Sequence, residues 1–213
     1  MSATIDPLIV AVLGINFLLL GTSRIGAAIN ASAVQGAILG LLAVLFPGEL
    51  AIRAVIVGIA AAWLKGFLIP SMLRRALNDV VVRREIEPLI SYMTSLLIGA
   101  LATGGAVLFA SALPLAPEHV GSLLVPASLA TVLTGFIILT TRRKAITQVV
   151  GYLVLENGIF IMGLTLHAAM PFLVEVGVLL DLLVAIFVIG IVINHIGREF
   201  GSLDVSDLDK LRE

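Results

Sequence analysis

Residues 141–166 read TRRKAITQVVGYLVLENGIFIMGLTL. Three consecutive basic residues, Arg142, Arg143 and Lys144, abut an unbroken apolar stretch, Ala145–Leu166, whose centre holds one acid, Glu156. A bilayer core needs about 20 apolar residues per helix, with a working range of roughly 17–25. A basic cluster just outside such a run marks its cytoplasmic end. Working outward, six more runs of this kind stand at Pro7–Ser23, Ile25–Phe46, Leu50–Leu73, Leu89–Leu113, Gly121–Thr140 and Phe172–Ile196. None alternates polar and apolar residues as barrel strands do, so helices are expected. The expectation is an all-α integral membrane bundle of about seven transmembrane helices.

Composition agrees. Of 213 residues 60% are hydrophobic and 13% charged, which excludes an ordinary soluble globule and a disordered chain alike. Zero cysteines exclude disulfides, cysteine-ligated zinc and iron–sulfur clusters within this polypeptide. A net charge of −1 argues against nucleic acid as a partner. The three histidines are scattered, so no metal site is expected, and no catalytic triad, phosphate loop or dinucleotide fingerprint occurs. The lipid bilayer is the surrounding partner.

Lysine and arginine placement sets the expected orientation. With seven helices, Arg24, Arg74, Arg75, Arg83, Arg84, Arg142, Arg143, Lys144, Arg198, Lys210 and Arg212 share one side, leaving Arg53 opposite and Lys65 inside a span. The N-terminus is therefore expected outside and the C-terminus in the cytoplasm. The longest connection, Arg74–Pro88, suggests an interfacial helix around Val80–Val82. A soluble catalytic domain is not expected.

Ionisable residues inside spans carry the chemistry, because each needs a partner, water or a neutral protonation state. Such residues are proton-relay candidates. Glu156 lies roughly 18 Å from Lys144 at 1.5 Å per residue, too deep for its short side chain to reach a surface. Asn157 and Gly158 follow it, a pair suited to loosening the helix and admitting water or a close neighbour. Packing glue is the alternative reading of Glu156. Asp181 lies mid-span in the last run, with His195 on the same helix face about 21 Å away. A helix-end role suits His195 equally. Glu175, one turn past Pro171, is either a relay member or a surface carboxylate. Lys65, near Gly66 and Pro70 where a kink is expected, either exchanges a proton or pairs with a buried carboxylate. Asn16, Asn30, Gln35, Thr103, Gln148 and Asn194 are packing residues by default, any of which is able to hold water.

The segment Thr141–Lys144 leading into Gly151-Tyr152-Leu153-Val154-Leu155-Glu156-Asn157-Gly158 resembles the three-helix K subunit of respiratory complex I and its antiporter relatives. That resemblance places Glu156 at the family's first membrane glutamate and Asp181 at the second acid, where this chain departs from the pattern by carrying aspartate. The longer arrangement, with Arg24 near the first turn and Lys65-Gly66-Phe67-Leu68-Ile69-Pro70 in the third span, is similar to component E of the hydrogenase-4 type, membrane-bound [NiFe] hydrogenases. It implies a four-helix extension over 1–120, a K-subunit-like unit over 121–196 and a cytoplasmic tail over 197–213. The implied function is a non-redox, non-catalytic subunit in the membrane arm of a complex I-like hydrogenase of the inner membrane. It would move protons or sodium in step with electron transfer, with Glu156, Asp181, Lys65, Glu175 and His195 as relay residues. This chain would hold no cofactor, the nickel–iron centre and iron–sulfur clusters belonging to partner subunits. Those partners would be antiporter-like and quinone-oxidoreductase-like membrane chains and the peripheral hydrogenase arm. A structural scaffold and a free-standing secondary transporter are the rivals. A parallel internal repeat is a further expectation, since Thr22-Ser23-Arg24 echoes Thr141-Arg142-Arg143 at an offset of 119 residues.

Overall fold

The computed structural model describes residues 2–45, 59–60, 62–78, 88–114 and 122–166, with single positions at 177, 183 and 190. Every element among the described residues is a helix: α1 (Ser2–Gly21), α2 (Ile25–Leu45), a π-helical turn (Leu64–Leu68) running directly into α3 (Ile69–Asn78), α4 (Tyr92–Ala112), α5 (Leu124–Thr141) and α6 (Ala145–Leu166). Four of them, α2, α4, α5 and α6, are long and apolar enough to cross a bilayer, and α1 adds a shorter apolar stretch over Ile5–Gly21. Helix suits this composition because a bilayer offers the backbone no water, and a helix satisfies its own N–H and C=O groups. Five expected spans correspond to α1, α2, α4, α5 and α6 within a few residues. Apart from positions 177, 183 and 190, the expected Phe172–Ile196 span lies outside the described residues, as do the Val80–Val82 interfacial helix, the whole of the tail over 197–213 and the first part of Leu50–Leu73.

The third span departs from expectation at its end and changes its winding where a kink is expected. Its helix does not stop at Leu73 but carries Arg74 and Arg75, both exposed, on to Asn78. At the position where a kink is expected the helix makes a π turn, in which the Ile69 N–H reaches the Leu64 carbonyl five residues back. Pro70 explains the change of winding. It has no N–H for the Gly66 carbonyl, and its ring would press on that turn of a regular helix; one wider turn relieves both.

Two hairpins frame the molecule. α1 and α2 turn through residues 22–24, and α5 and α6 through residues 142–144. α1 packs on α5 and α2 on α6, while α5 and α6 share the most extensive seam. That seam is close because glycine faces backbone: a Cβ on Gly158 would meet the Val132 nitrogen at 2.6 Å, and one on Gly151 the Leu139 nitrogen at 2.8 Å. Apolar side chains fill the space between hairpins, in one cluster around Ile29, Leu73, Val150 and Val154 and another around Ile9, Leu39, Leu42 and Ile161. α4 lies at the edge. Ser91 caps it by accepting from the Thr94 N–H at 3.0 Å. Its outer face exposes Leu97, Leu101, Leu108 and Phe109, the side chains lipid would cover.

Candidate functional site

Lys65 and Glu156, ninety-one positions apart in sequence, meet in the interior. Lys65 Nζ stands 2.9 Å from Glu156 Oε1, and the two side chains keep only 6% and 1% of their exposure. Each is set by the element that carries it. Lys65 sits in the π turn, and α2 lets that turn approach only because residue 36 is glycine: a Cβ there would lie 2.8 Å from the Lys65 Cβ. Gly40, one turn further along α2, admits Ala62 in the same way. On α6, Glu156 and Phe160 are one turn apart and present a combined surface, a carboxylate beside an aromatic ring. The ammonium lies 5.3 Å from the Phe160 ring centroid, within the range of a cation–π contact. Carboxylate and ring face together thus offset the loss of water around the cation.

A line of buried polar side chains runs away from this pair. Asn157 Nδ2 donates to Gln35 Oε1 at 3.0 Å, Gln35 Nε2 to Asn16 Oδ1 at 2.8 Å, and Asn16 Nδ2 to Thr131 Oγ1 at 2.9 Å. Thr131 Oγ1 in turn donates to the Ala127 carbonyl at 2.7 Å. All four side chains are buried, and they join α6, α2, α1 and α5. Two bonds that tie the hairpins together, Asn157 to Gln35 and Arg142 to Leu20, each span 122 positions.

Arg142 closes one end of the bundle. Although it belongs to a basic turn, its side chain is among the largest that are fully buried. Its Nη2 donates to the Leu20 carbonyl at 2.8 Å, at the C-terminal end of α1, where a helix presents unsatisfied carbonyls and partial negative charge. The guanidinium also lies 4.4 Å from the Tyr92 ring centroid at the start of α4. The Leu89 N–H donates to the Thr141 carbonyl at 2.8 Å, and Gln148 Nε2 to the Arg142 carbonyl at 2.9 Å. Three helix ends are held by one turn.

Of the relay residues read from the sequence, the structure brings together Lys65 and Glu156. Asp181, Glu175 and His195 lie outside the described residues. Asn157, expected to loosen α6, instead anchors it to α2, while Gly158 does admit the close neighbour expected, α5. Sequence reasoning missed the joint role of Asn16, Gln35 and Thr131, and it missed Arg142 as a buried residue. Amides at mid-depth of two neighbouring apolar helices were the available signal for the first; nothing in the basic turn marks one arginine of two as buried.

Comparison with known proteins gives two findings. The chain is 41% identical to the uncharacterized protein Rv0085 of Mycobacterium tuberculosis over 165 residues, covering 76% of this chain and 73% of that protein. It is 32% identical to hydrogenase-4 component E of Escherichia coli K12, and equally to that of Shigella flexneri, over 80 residues, or 38% of this chain. The match spans 37% of the length of those hydrogenase proteins. No family model and no solved structure matches the chain.

Proposed function

The chain belongs to the same family as the mycobacterial protein Rv0085, and on that premise we propose that it is a membrane subunit of a hydrogenase-type complex in which the Lys65–Glu156 pair takes part in ion movement. Partial similarity to hydrogenase-4 component E supports a hydrogenase-related role in the membrane. The observation that carries the rest is the ion pair itself, a lysine and a glutamate 2.9 Å apart inside a bundle of apolar helices. Intramembrane ionisable residues are costly to keep, and they mark ion and proton pathways more often than other positions do.

The chemistry available to the pair is a proton exchange. When a proton reaches Glu156 its ion–ion attraction to Lys65 is lost, and the π turn and α6 are held there by an ion–dipole contact and the ammonium's place near the Phe160 ring. When the proton leaves, the contact re-forms. In this proposal electron transfer in partner subunits, which would hold the nickel–iron and iron–sulfur centres, drives that cycle from the inner membrane's hydrogenase arm. Asp181, Glu175 and His195 extend the path, and the chain itself performs no redox step. Protons are the proposed ion, with sodium as the alternative cargo.

The test is Glu156→Gln in the native complex, purified through a tag on this chain in mild detergent. Co-purification with a nickel–iron hydrogenase subunit and antiporter-like chains, with ion movement lost and assembly intact, is the expected result. Full coupled activity in the variant would defeat the relay role. A second reading, a scaffold subunit, is favoured by the fact that the same pair bridges two separate helices; it predicts that Glu156→Gln abolishes assembly before turnover can be measured.

A further inference from the structure

Thr131 fixes the direction of the buried amide chain. Its hydroxyl proton goes to the Ala127 carbonyl at 2.7 Å, so toward Asn16 the oxygen has only lone pairs to offer. Asn16 must therefore turn its NH2 group to Thr131 and its carbonyl oxygen to Gln35. Gln35 then turns its NH2 to Asn16 and its oxygen to Asn157. Three carboxamides lie head to tail, each donating one N–H to the next in the direction from α6 toward α5. Rotating any one alone would set two oxygens or two N–H groups face to face.

The far end of this chain lies next in sequence to residues that form the ion-pair contact. Asn157 directly follows Glu156, and Gln35 directly precedes Gly36, whose absent Cβ makes room for Lys65. The helices packed against α6 bring few rival charges. α2 and α5 contain no ionisable side chain, and α1, reached through Asn16, carries only Asp6, ten positions from that asparagine. Lys65 is the cation across from Glu156, and on α6 itself Tyr152 lies one turn before it. On the α1, α2 and α5 side the buried polar side chains are Asn16, Ser32, Gln35, Ser128, Thr131 and Thr134, and of these Asn16, Gln35 and Thr131 form the chain that ends on Asn157.

We propose that Thr131 is a positioning residue for Glu156: through Asn16 and Gln35, its hydroxyl sets which way the amide dipole of Asn157, the residue after Glu156 on α6, points, and with it the field at the carboxyl group. This rests on the reading of the pair as the ion-exchange centre, but its test does not need turnover. Thr131→Val keeps the side-chain volume and removes the hydroxyl, leaving nothing to impose a direction; Thr131→Ser keeps the hydroxyl. The readout is the infrared carboxyl band of Glu156 in the purified full chain, assigned by its loss in Glu156→Gln. A displaced band in Thr131→Val and a wild-type band in Thr131→Ser are expected. Thr131→Ala, which fills no extra space, is the second hydroxyl-less variant and must displace the band as well.

Either variant folded with its band at the wild-type position overturns the proposal, as does a Ser variant displaced as far as Val. The wild-type chain offers a check independent of every variant. Nuclear Overhauser contacts must place the Asn16 side-chain NH2 next to Thr131 and the Gln35 NH2 next to Asn16; the reverse order overturns the proposal outright. Unimpaired coupled activity in Glu156→Gln would instead defeat the ion-exchange reading and leave these measurements standing.

Discussion

Replacing Lys65 with Met, Glu156 with Gln, and then both together separates what the ion pair contributes from what its halves cost. At 2.9 Å and an effective dielectric of about 20, the gross attraction is about 6 kcal/mol. Desolvation of two ions costs several kcal/mol each, so the intact pair adds little net stability. A lone survivor is a different matter. With its partner gone, a charge that keeps only a few percent of its exposure must stay uncompensated or lose its charge, a penalty of about 3–5 kcal/mol. Each single variant should therefore be destabilised by about 3 kcal/mol or more, and the double variant should recover to within about 2 kcal/mol of wild type. The resulting coupling, about 3 kcal/mol or above, is at the upper end of what neighbouring residues show. The assay is reversible unfolding of the purified chain in mixed detergent micelles, followed by circular dichroism. Additive single effects, with coupling below about 0.5 kcal/mol, would show that the two groups do not sense each other in the folded protein.

Three further outcomes follow from the geometry. Gly36→Val drives a side chain into the Lys65 Cβ and should cost about 1–3 kcal/mol in the same unfolding assay, with Gly36→Ser milder. Arg142→Met removes a charge-assisted hydrogen bond and a cation–π contact, together about 2–4 kcal/mol, and hydrogen exchange should quicken at residues 18–21 and 88–95 while the centre of α6 stays protected. Because the chain has no cysteine, Arg143→Cys places a single thiol at an exposed turn position. A membrane-impermeant thiol reagent should label it in inverted vesicles and not in intact spheroplasts; the opposite pattern would reverse the orientation expected from the basic residues.

Much of the helical architecture was legible because membrane helices announce themselves locally. A run such as Ala145–Leu166 needs no knowledge of its neighbours, and the basic turn that precedes it is a short-range signal. Lys65 and Glu156 were legible for the same reason, as charges in apolar surroundings. That Lys65 meets a buried carboxylate was one of the readings left open; that the carboxylate is Glu156 was not legible. The pairing depends on which helix lies beside which, on the rotation of each about its own axis and on the glycines of α2, none of which a single apolar stretch records. The amides show the limit more sharply. Asn16 and Gln35 look like ordinary packing residues, and only the placement of α5 and α6 against the first hairpin turns them into one chain with Asn157 and Thr131. Arg142 was misjudged by treating its turn as a block of charge, since Arg143 and Lys144 are exposed while Arg142 is spent on the α1 terminus. The continuation of α3 past Leu73 was hidden because two arginines read as the end of a membrane run, although a helix can carry them beyond the apolar core.

The bonds between the two hairpins also impose an order in time. Asn16 and Gln35 are made early and satisfy each other in part across the first hairpin, but Thr131, Arg142 and Asn157, which complete them, come 115 to 122 positions later. At about 5–20 residues per second, the ribosome leaves the first hairpin waiting on the order of ten seconds with an amide donor, an amide oxygen and a helix-end carbonyl still seeking partners. Those waiting groups are attachment points. Whatever accompanies the nascent chain through that interval, water, lipid headgroups or an insertion factor, has to occupy them and then give way when the second hairpin arrives.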